Sequence, residues 1–366
     1  MLLGIQNDTP YFTHTYYNQM NNWFRVYDSN LFSDSHLIIR FNAFMMLFSF
    51  GYYHVHTIIS CFLSFIGLTA MFKFFIEYAP KAKYGLFLSI FLIPSVVFWG
   101  SGVLKEGLIF FSIGLLLLYS NHFFERFSFF KIIVISFSIL ILLYTKIYVL
   151  IILFPLMIIF KSMRLESQGY KNIGFVYGGV LLITGTIGYL ALTLLTHYDV
   201  LAMLAQKQHD FFVLAKSEQA GSLIYLNPLT PEWSSFLLEL PIAAVNVFFR
   251  PLIGLDNSLM MVPSAIENLI LWTLSILIVF FPAKLTRSQK LLVHFSLWFV
   301  LGIFLLTGIT TPILGAIVRY KTIALPFWGV ILSLCIDKRK LYSTSKRFAK
   351  ISLYIERKIL YKSIIR

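Results

Sequence analysis

Charge is what this sequence has least of. Only 13% of its 366 residues are Asp, Glu, Lys or Arg, where an ordinary soluble domain carries about a quarter. Cysteine is scarcer still. Cys61 and Cys335 both lie in apolar runs, so they read as packing residues and a disulfide scaffold is excluded. No Gly-rich phosphate loop follows a strand, no Gly-x-Ser-x-Gly occurs, and no Cys or His cluster has zinc spacing. The corresponding nucleotide-binding, hydrolase and zinc classes have no support. His54 and His56 flank Val55. Two residues apart on a helix, they face different ways and make a poor metal pair. No cofactor is called for, and a divalent metal is not indicated. Met1–Ile5 is too short for the apolar core of a cleavable signal peptide and has no basic start.

Apolar residues fill the space instead: 58% of the chain, with 38 Phe, 20 Tyr and a mean hydropathy of +0.79. They fall in runs that approach or reach the length needed to cross a bilayer, which predicts an all-α, polytopic membrane helical bundle. Nine spans are expected, at about 55–75, 84–100, 107–124, 132–144, 147–160, 173–196, 259–281, 291–308 and 322–336. The two from 132 to 160 are short, and read as a hairpin turning at Thr145-Lys146 or as one long tilted helix. Residues 1–53 form a segment ending in an interfacial helix, Leu37–Phe50, marked by Arg40 and Asn42 in an apolar run. The bundle covers 54–336, with a large loop at 197–258 that holds a second interfacial helix, Phe236–Phe249. Gly174 and Gly178 carry a weak helix-contact signal.

Sidedness follows from the cations. Grouping loops alternately puts 21 of the 30 Lys and Arg on one face and nine on the other. The first face is expected to be cytoplasmic. That sets the N-terminus outside and the C-terminus inside, and favours the hairpin because it keeps the alternation. The basic tail, 337–366, reads as an amphipathic helix on anionic inner-leaflet lipid, with no nucleic-acid role.

The cations on the outer face are therefore the ones to explain. Lys105, Lys146, Arg250, Arg319 and Lys321 each end a spanning or interfacial helix at about the same depth. Such a rim suits a lipid-linked phosphate or pyrophosphate, or it snorkels and pairs with acids such as Glu106 and Asp256. Glu106 and Tyr320 adjoin these cations as supporting residues. Arg25, Arg40, Lys207 and Lys216 lie in polar or amphipathic context and read as solvated. A base activating a hydroxyl needs a carboxylate near the reacting centre. Asp34, just before the interfacial helix, is best placed, and Asp28 and Asp8 follow.

Three stretches carry a resemblance. Pro94-Ser95-Val96-Val97-Phe98-Trp99-Gly100-Ser101-Gly102 with Lys105-Glu106-Gly107, then Leu143-Tyr144-Thr145-Lys146, then Val318-Arg319-Tyr320-Lys321 with Leu325-Pro326-Phe327 resemble bacterial GT-C-type membrane glycosyltransferases. The resemblance implies a bacterial inner-membrane protein of cell-surface polysaccharide or glycolipid assembly. It would transfer sugar from a polyprenyl-phosphate donor on the outer face. Lys105, Arg250 and Arg319 would hold the phosphate. That superfamily usually places its catalytic acid after a first spanning helix. This chain shows no span before residue 37, so the resemblance implies an upstream part carrying that helix. An O-antigen-type polymerase using Arg250 and Arg319 on lipid pyrophosphates, and a lipid-linked sugar flippase, stay open as alternatives.

Overall fold

The computed structural model describes residues 36–123, 127–165, 172–196, 199–254 and 261–344. Among them there is no strand, only the isolated bridges Leu223–Ile313 and Pro282–Ile336. The helices in order are α1 (His36–Ser49), α2 (Tyr53–Tyr78), α3 (Lys83–Phe91), α4 (Pro94–Ser101), α5 (Lys105–Asn121), α6 (Phe129–Leu165) and α7 (Ile173–Thr196). They continue as α8 (Val200–Ser217), α9 (Trp233–Phe249), α10 (Val262–Phe280), α11 (Arg287–Thr310), α12 (Leu314–Lys321), α13 (Leu325–Cys335) and α14 (Lys338–Thr344).

Among the described residues six helices are long and apolar enough to cross a membrane, counting α6 as one, or up to seven if the bent pair α3–α4 is one span. The chain thus has the architecture of a multi-pass membrane protein, but the expected nine spans are not found. One reason is Pro94. Without an amide hydrogen, and with its ring restricting Ile93, it stops α3 and restarts the chain as α4 at 52°. A second is that the span expected at 107–124 is the shorter helix α5, of 17 residues, and a third is that the two expected from 132 to 160 fall within the single helix α6.

The long helix α6 settles the choice between hairpin and rod. Lys146 has φ −149° and ψ 79°, outside the helical region. Lys131 Nζ donates to His122 O at 2.8 Å, and Lys161 Nζ donates to Asn121 O at 2.9 Å. A straight helix would hold residues 131 and 161 about 45 Å apart at 1.5 Å per residue. The chain therefore reverses at Lys146, and α6 is two antiparallel arms. Phe137 lies beside Phe111 and Phe130 beside Tyr119, so the first arm runs antiparallel to α5. The second arm meets α11 through Phe160–Phe295 and Gly302–Ile152.

Helices in a bilayer gain little from burying apolar surface against each other, because lipid tails are equally apolar. Close packing and polar contacts decide their association. Here Gly67 of α2 meets Gly114 of α5 backbone to backbone; a Cβ at Gly114 would collide with the Gly67 carbonyl. Aromatic side chains fill the centre. Phe74 and Phe75 of α2, Phe160 of α6, Phe295 and Phe299 of α11 and Phe327 of α13 are buried and touch in edge or tilted geometry. Gly174 and Gly178 bring α7 against His294 and Trp298 of α11.

The loops sort to two ends. At one, Arg164 Nη1 donates to the Tyr78 hydroxyl, His122 pairs with Glu77 at 3.0 Å, and Arg287 Nη2 donates to Met163 O. At the other lie the start of α5, the turn at Lys146, the end of α9 and all of α12. The helices expected at Leu37–Phe50 and Phe236–Phe249 are present as α1 and α9. Helix α8 was not expected. The tail contributes α14; its remainder lies outside the described residues.

Candidate functional site

The end of the bundle that carries α12 is built around three consecutive residues. Arg319, Tyr320 and Lys321 each reach a different element. Arg319 Nε and Nη2 donate to Glu106 Oε1 and Oε2, both at 2.8 Å, in a bidentate pair with α5. The Glu106 side chain is fully buried and that of Arg319 is 26% exposed. Such a planar fork matches a carboxylate in a way Lys cannot. The guanidinium also lies 5.5 Å from the centre of the Trp99 ring on α4.

Lys321 is buried. Its Nζ donates to Asn268 Oδ1 at 2.8 Å and to the Arg250 carbonyl at 3.0 Å, joining α12 to α10 and to the end of α9. The Glu267 carboxylate accepts from Ser95 N at 2.6 Å, in the first turn of α4, where the helix dipole favours negative charge. A lone charge in the bilayer is expensive, and partners of this kind are what allow it to be buried.

Tyr320 turns the other way. Its ring lies under Lys146 Nζ, 3.5 Å from the ring centre. Lys146 is 3% exposed and sits where α6 reverses. It is also 5.3 Å from the centre of the Tyr148 ring, and Lys207 of α8 is 5.0 Å from that same centre. Phe211, one turn further along α8, packs on Tyr320. The two ammonium groups are therefore at most about 10 Å apart. At an effective dielectric of about 20, like charges at that distance repel by about 1.7 kcal/mol. Cation–π contact with tyrosine faces offsets part of this.

Helix α8 is fixed in the rim by its own sequence. Asp199 caps it, accepting from Ala202 N at 3.0 Å. Gln208 is buried; its amide donates to Ile309 O and its carbonyl accepts from Leu229 N. Leu201 packs with Phe236 and Ala243 of α9 and Ile309 of α11. Asp210 is 6% exposed and accepts from Gln206 Nε2 at 2.7 Å.

Of the residues expected from sequence, Lys146, Arg319, Lys321, Glu106 and Tyr320 come together, with the Arg250 carbonyl. Lys105 neighbours Glu106 at the start of α5 and is partly exposed. Asp34, Asp28, Asp8 and the suggested partner Asp256 lie outside the described residues. Lys207, read from sequence as solvated, is drawn into the rim, and Tyr148 and Trp99 were missed. The spacing of Leu201, Leu204, Gln208 and Ala215 on one helical face was the available signal for α8. His56 is a structural residue, held by Asn42 Oδ1 at 2.9 Å and Ser49 Oγ at 2.6 Å. Among the described residues no group of three His, Cys, Asp or Glu could hold a metal ion. Compared with family models, curated proteins and solved structures, the chain matches none.

Proposed function

We propose that the chain is a membrane glycosyltransferase-like protein of cell-surface polysaccharide or glycolipid assembly. It resides in a bacterial inner membrane with the α12 end outward. It takes sugar from a polyprenyl-phosphate donor at that face. The observation that carries this reading is the gathering of Lys105, Lys146, Lys207, Arg319 and Lys321 at the α12 end, on elements far apart in sequence. Positive charge on an outer face runs against the bias that orients membrane proteins, so it calls for a reason of its own.

The chemistry would be displacement at the anomeric carbon. An acceptor hydroxyl attacks, the bond from that carbon to the phosphate oxygen breaks, and its electron pair stays on the phosphate. Cations fixed beforehand stabilise the charge that develops on the leaving group. The base expected from sequence is Asp34 or Asp28.

The test uses full-length protein in proteoliposomes, with a panel of polyprenyl-monophosphate and polyprenyl-pyrophosphate hexoses. Release of polyprenyl monophosphate from the first set, dependent on added acceptor glycan, supports the reading. Turnover of the pyrophosphate set alone would replace it with a polymerase. Lipid movement between leaflets without bond cleavage would replace it with a flippase.

A further inference from the structure

At the end opposite α12 the cations sort by what they touch. Lys131, Lys161 and Arg287 donate to main-chain carbonyls, and Arg164 to the Tyr78 hydroxyl, so these four tie helices together. A second set surrounds the end of α13. The 3₁₀ turn Pro80–Ala82 and the start of α3 carry Lys81 and Lys83. The segment after α10 carries Lys284, and α14 opens with Lys338, Arg339 and Lys340. Short contacts bring these segments together. Ala283 N donates to Cys335 O and Asp337 N to Phe281 O, both at 2.8 Å. Ser89 Oγ of α3 lies 2.8 Å from Ser333 Oγ of α13. Lys338 Nζ rests against Gly85 in the first turn of α3. Against their six cations, residues 79–91, 281–286 and 335–344 hold one acid, Asp337. Its Oδ1 accepts from Arg339 N and Lys340 N, so it serves the start of α14.

We infer that Lys81, Lys83, Lys284 and Arg339 form a docking surface for the phosphodiester headgroup of an anionic phospholipid, in the leaflet at that end of the bundle. The inference is independent of the function proposed above. Basic loops orient a membrane protein, but that bias asks only for charges on one side. It does not gather cations from three separate segments around one helix end. Lys83 opens α3, where the helix dipole disfavours a cation, so its charge does not serve its own helix. All four residues are exposed. The surface beside them says what covers them. About one turn along α3 from Lys83 stand Phe87 and Leu88, 44% and 54% exposed. Just before the Lys284 segment stand Val279 and Phe280, 78% and 70% exposed. Lys83 Nζ lies over the Tyr84 ring, 5.0 Å from its centre. Cations above an exposed apolar band match a phospholipid, whose charge sits at the interface and whose chains run beside the helices. A soluble anion or a nucleic acid would leave the band uncovered. The sequence alone places anionic lipid against the tail from residue 337. The fold adds Lys81, Lys83 and Lys284, from earlier in the chain, to the place where that tail begins.

The experiment titrates delipidated full-length protein in neutral detergent and counts bound lipid by native mass spectrometry. The probes are phosphatidylglycerol, phosphatidylcholine as the zwitterionic control, and glycerol 3-phosphate as a soluble headgroup. Each Lys beside an anionic lipid surface contributes about fivefold in affinity. Wild type is therefore expected to bind phosphatidylglycerol at least about 10-fold more tightly than phosphatidylcholine. Lys83→Gln/Lys284→Gln should lose at least about 10-fold for phosphatidylglycerol and nothing for phosphatidylcholine. Lys73→Gln/Lys290→Gln removes the same charge from exposed positions of α2 and α11 at this end, and should stay within about threefold of wild type. Equal losses in the two double variants would mean that net charge holds the lipid, and the site assignment falls. Equal affinity of wild type for the two phospholipids also overturns it. Displacement of phosphatidylglycerol by equimolar glycerol 3-phosphate would remove the lipid part of the assignment, and displacement by a short RNA would reassign the surface to nucleic acid. Should Lys83→Gln/Lys284→Gln fail to fold, Lys81→Gln and Arg339→Gln are titrated singly, each with an expected loss of about fivefold; no loss in either overturns the assignment.

Discussion

Removing the Arg319 side chain gives the sharpest test of how this fold is held. In Arg319→Ala the Glu106 carboxylate stays at the start of α5 with no exposed surface of its own. Deleting one partner of a buried pair costs about 3–5 kcal/mol, because the other charge remains buried and uncompensated. The reverse deletion is milder. In Glu106→Gln the guanidinium keeps its contact with Trp99 and its 26% exposure to the aqueous rim, so about 1–3 kcal/mol is expected. Replacing both, as Glu106→Gln/Arg319→Met, removes the two charges together and should recover most of the loss. The coupling read from the double-mutant cycle would be about 2 kcal/mol or more. Arg319→Lys should fall between, since Lys cannot occupy both carboxylate oxygens. The assay is reversible unfolding of detergent-solubilised protein with increasing SDS, followed by the fluorescence of its six Trp. A loss below 1 kcal/mol in Arg319→Ala, or a larger loss in Glu106→Gln than in Arg319→Ala, would refute the reasoning. Either result would mean that the pair behaves like an exposed one.

Other expectations concern separate parts of the molecule. Gly114→Ala should lower stability by about 1–3 kcal/mol or abolish folding, because the added carbon collides with the Gly67 carbonyl; Gly188→Ala, with open space around it, should be near neutral in the same unfolding assay. Single cysteines at 131 and 161, in a background with Cys61 and Cys335 replaced by Ser, should react with an impermeant maleimide from one side of the membrane, and a cysteine at 146 from the other. Labelling of 131 and 161 from opposite sides would restore the straight rod. Lys146→Met removes the contacts of the ammonium with the Tyr148 and Tyr320 rings and should lower stability by about 0.5–2 kcal/mol in the same assay; an unchanged unfolding midpoint would mean that those contacts carry no stability.

The apolar runs made the membrane bundle legible, and so did the alternation of basic loops. The turn at Lys146 was legible for the same reason: a single helix there would put basic loops on both faces. What stayed hidden was tertiary. Pro94 announced a break, but a run of apolar residues on both sides of it read as one span. Helix α8 was masked by its Gln, Lys, His and Asp residues, although its buried positions recur at helical spacing. Glu106 and Arg319 were each singled out as rim residues. Their pairing depends on how α5 and α12 cross, and periodicity within either helix contains no information on that.

The Glu106–Arg319 contact also sets a schedule for biogenesis. The two residues are 213 positions apart. At a synthesis rate of about 5–20 residues per second, roughly 10–40 s separate the emergence of the acid from that of its partner. Throughout that interval α5 is in or near the membrane with a carboxylate at its first turn and no guanidinium to meet it. The Glu106–Arg319 pair can form only after α12 has been made. The last third of the chain therefore completes the docking of the first, and a nascent chain that stops before residue 319 leaves an incomplete rim for membrane quality control to recognise.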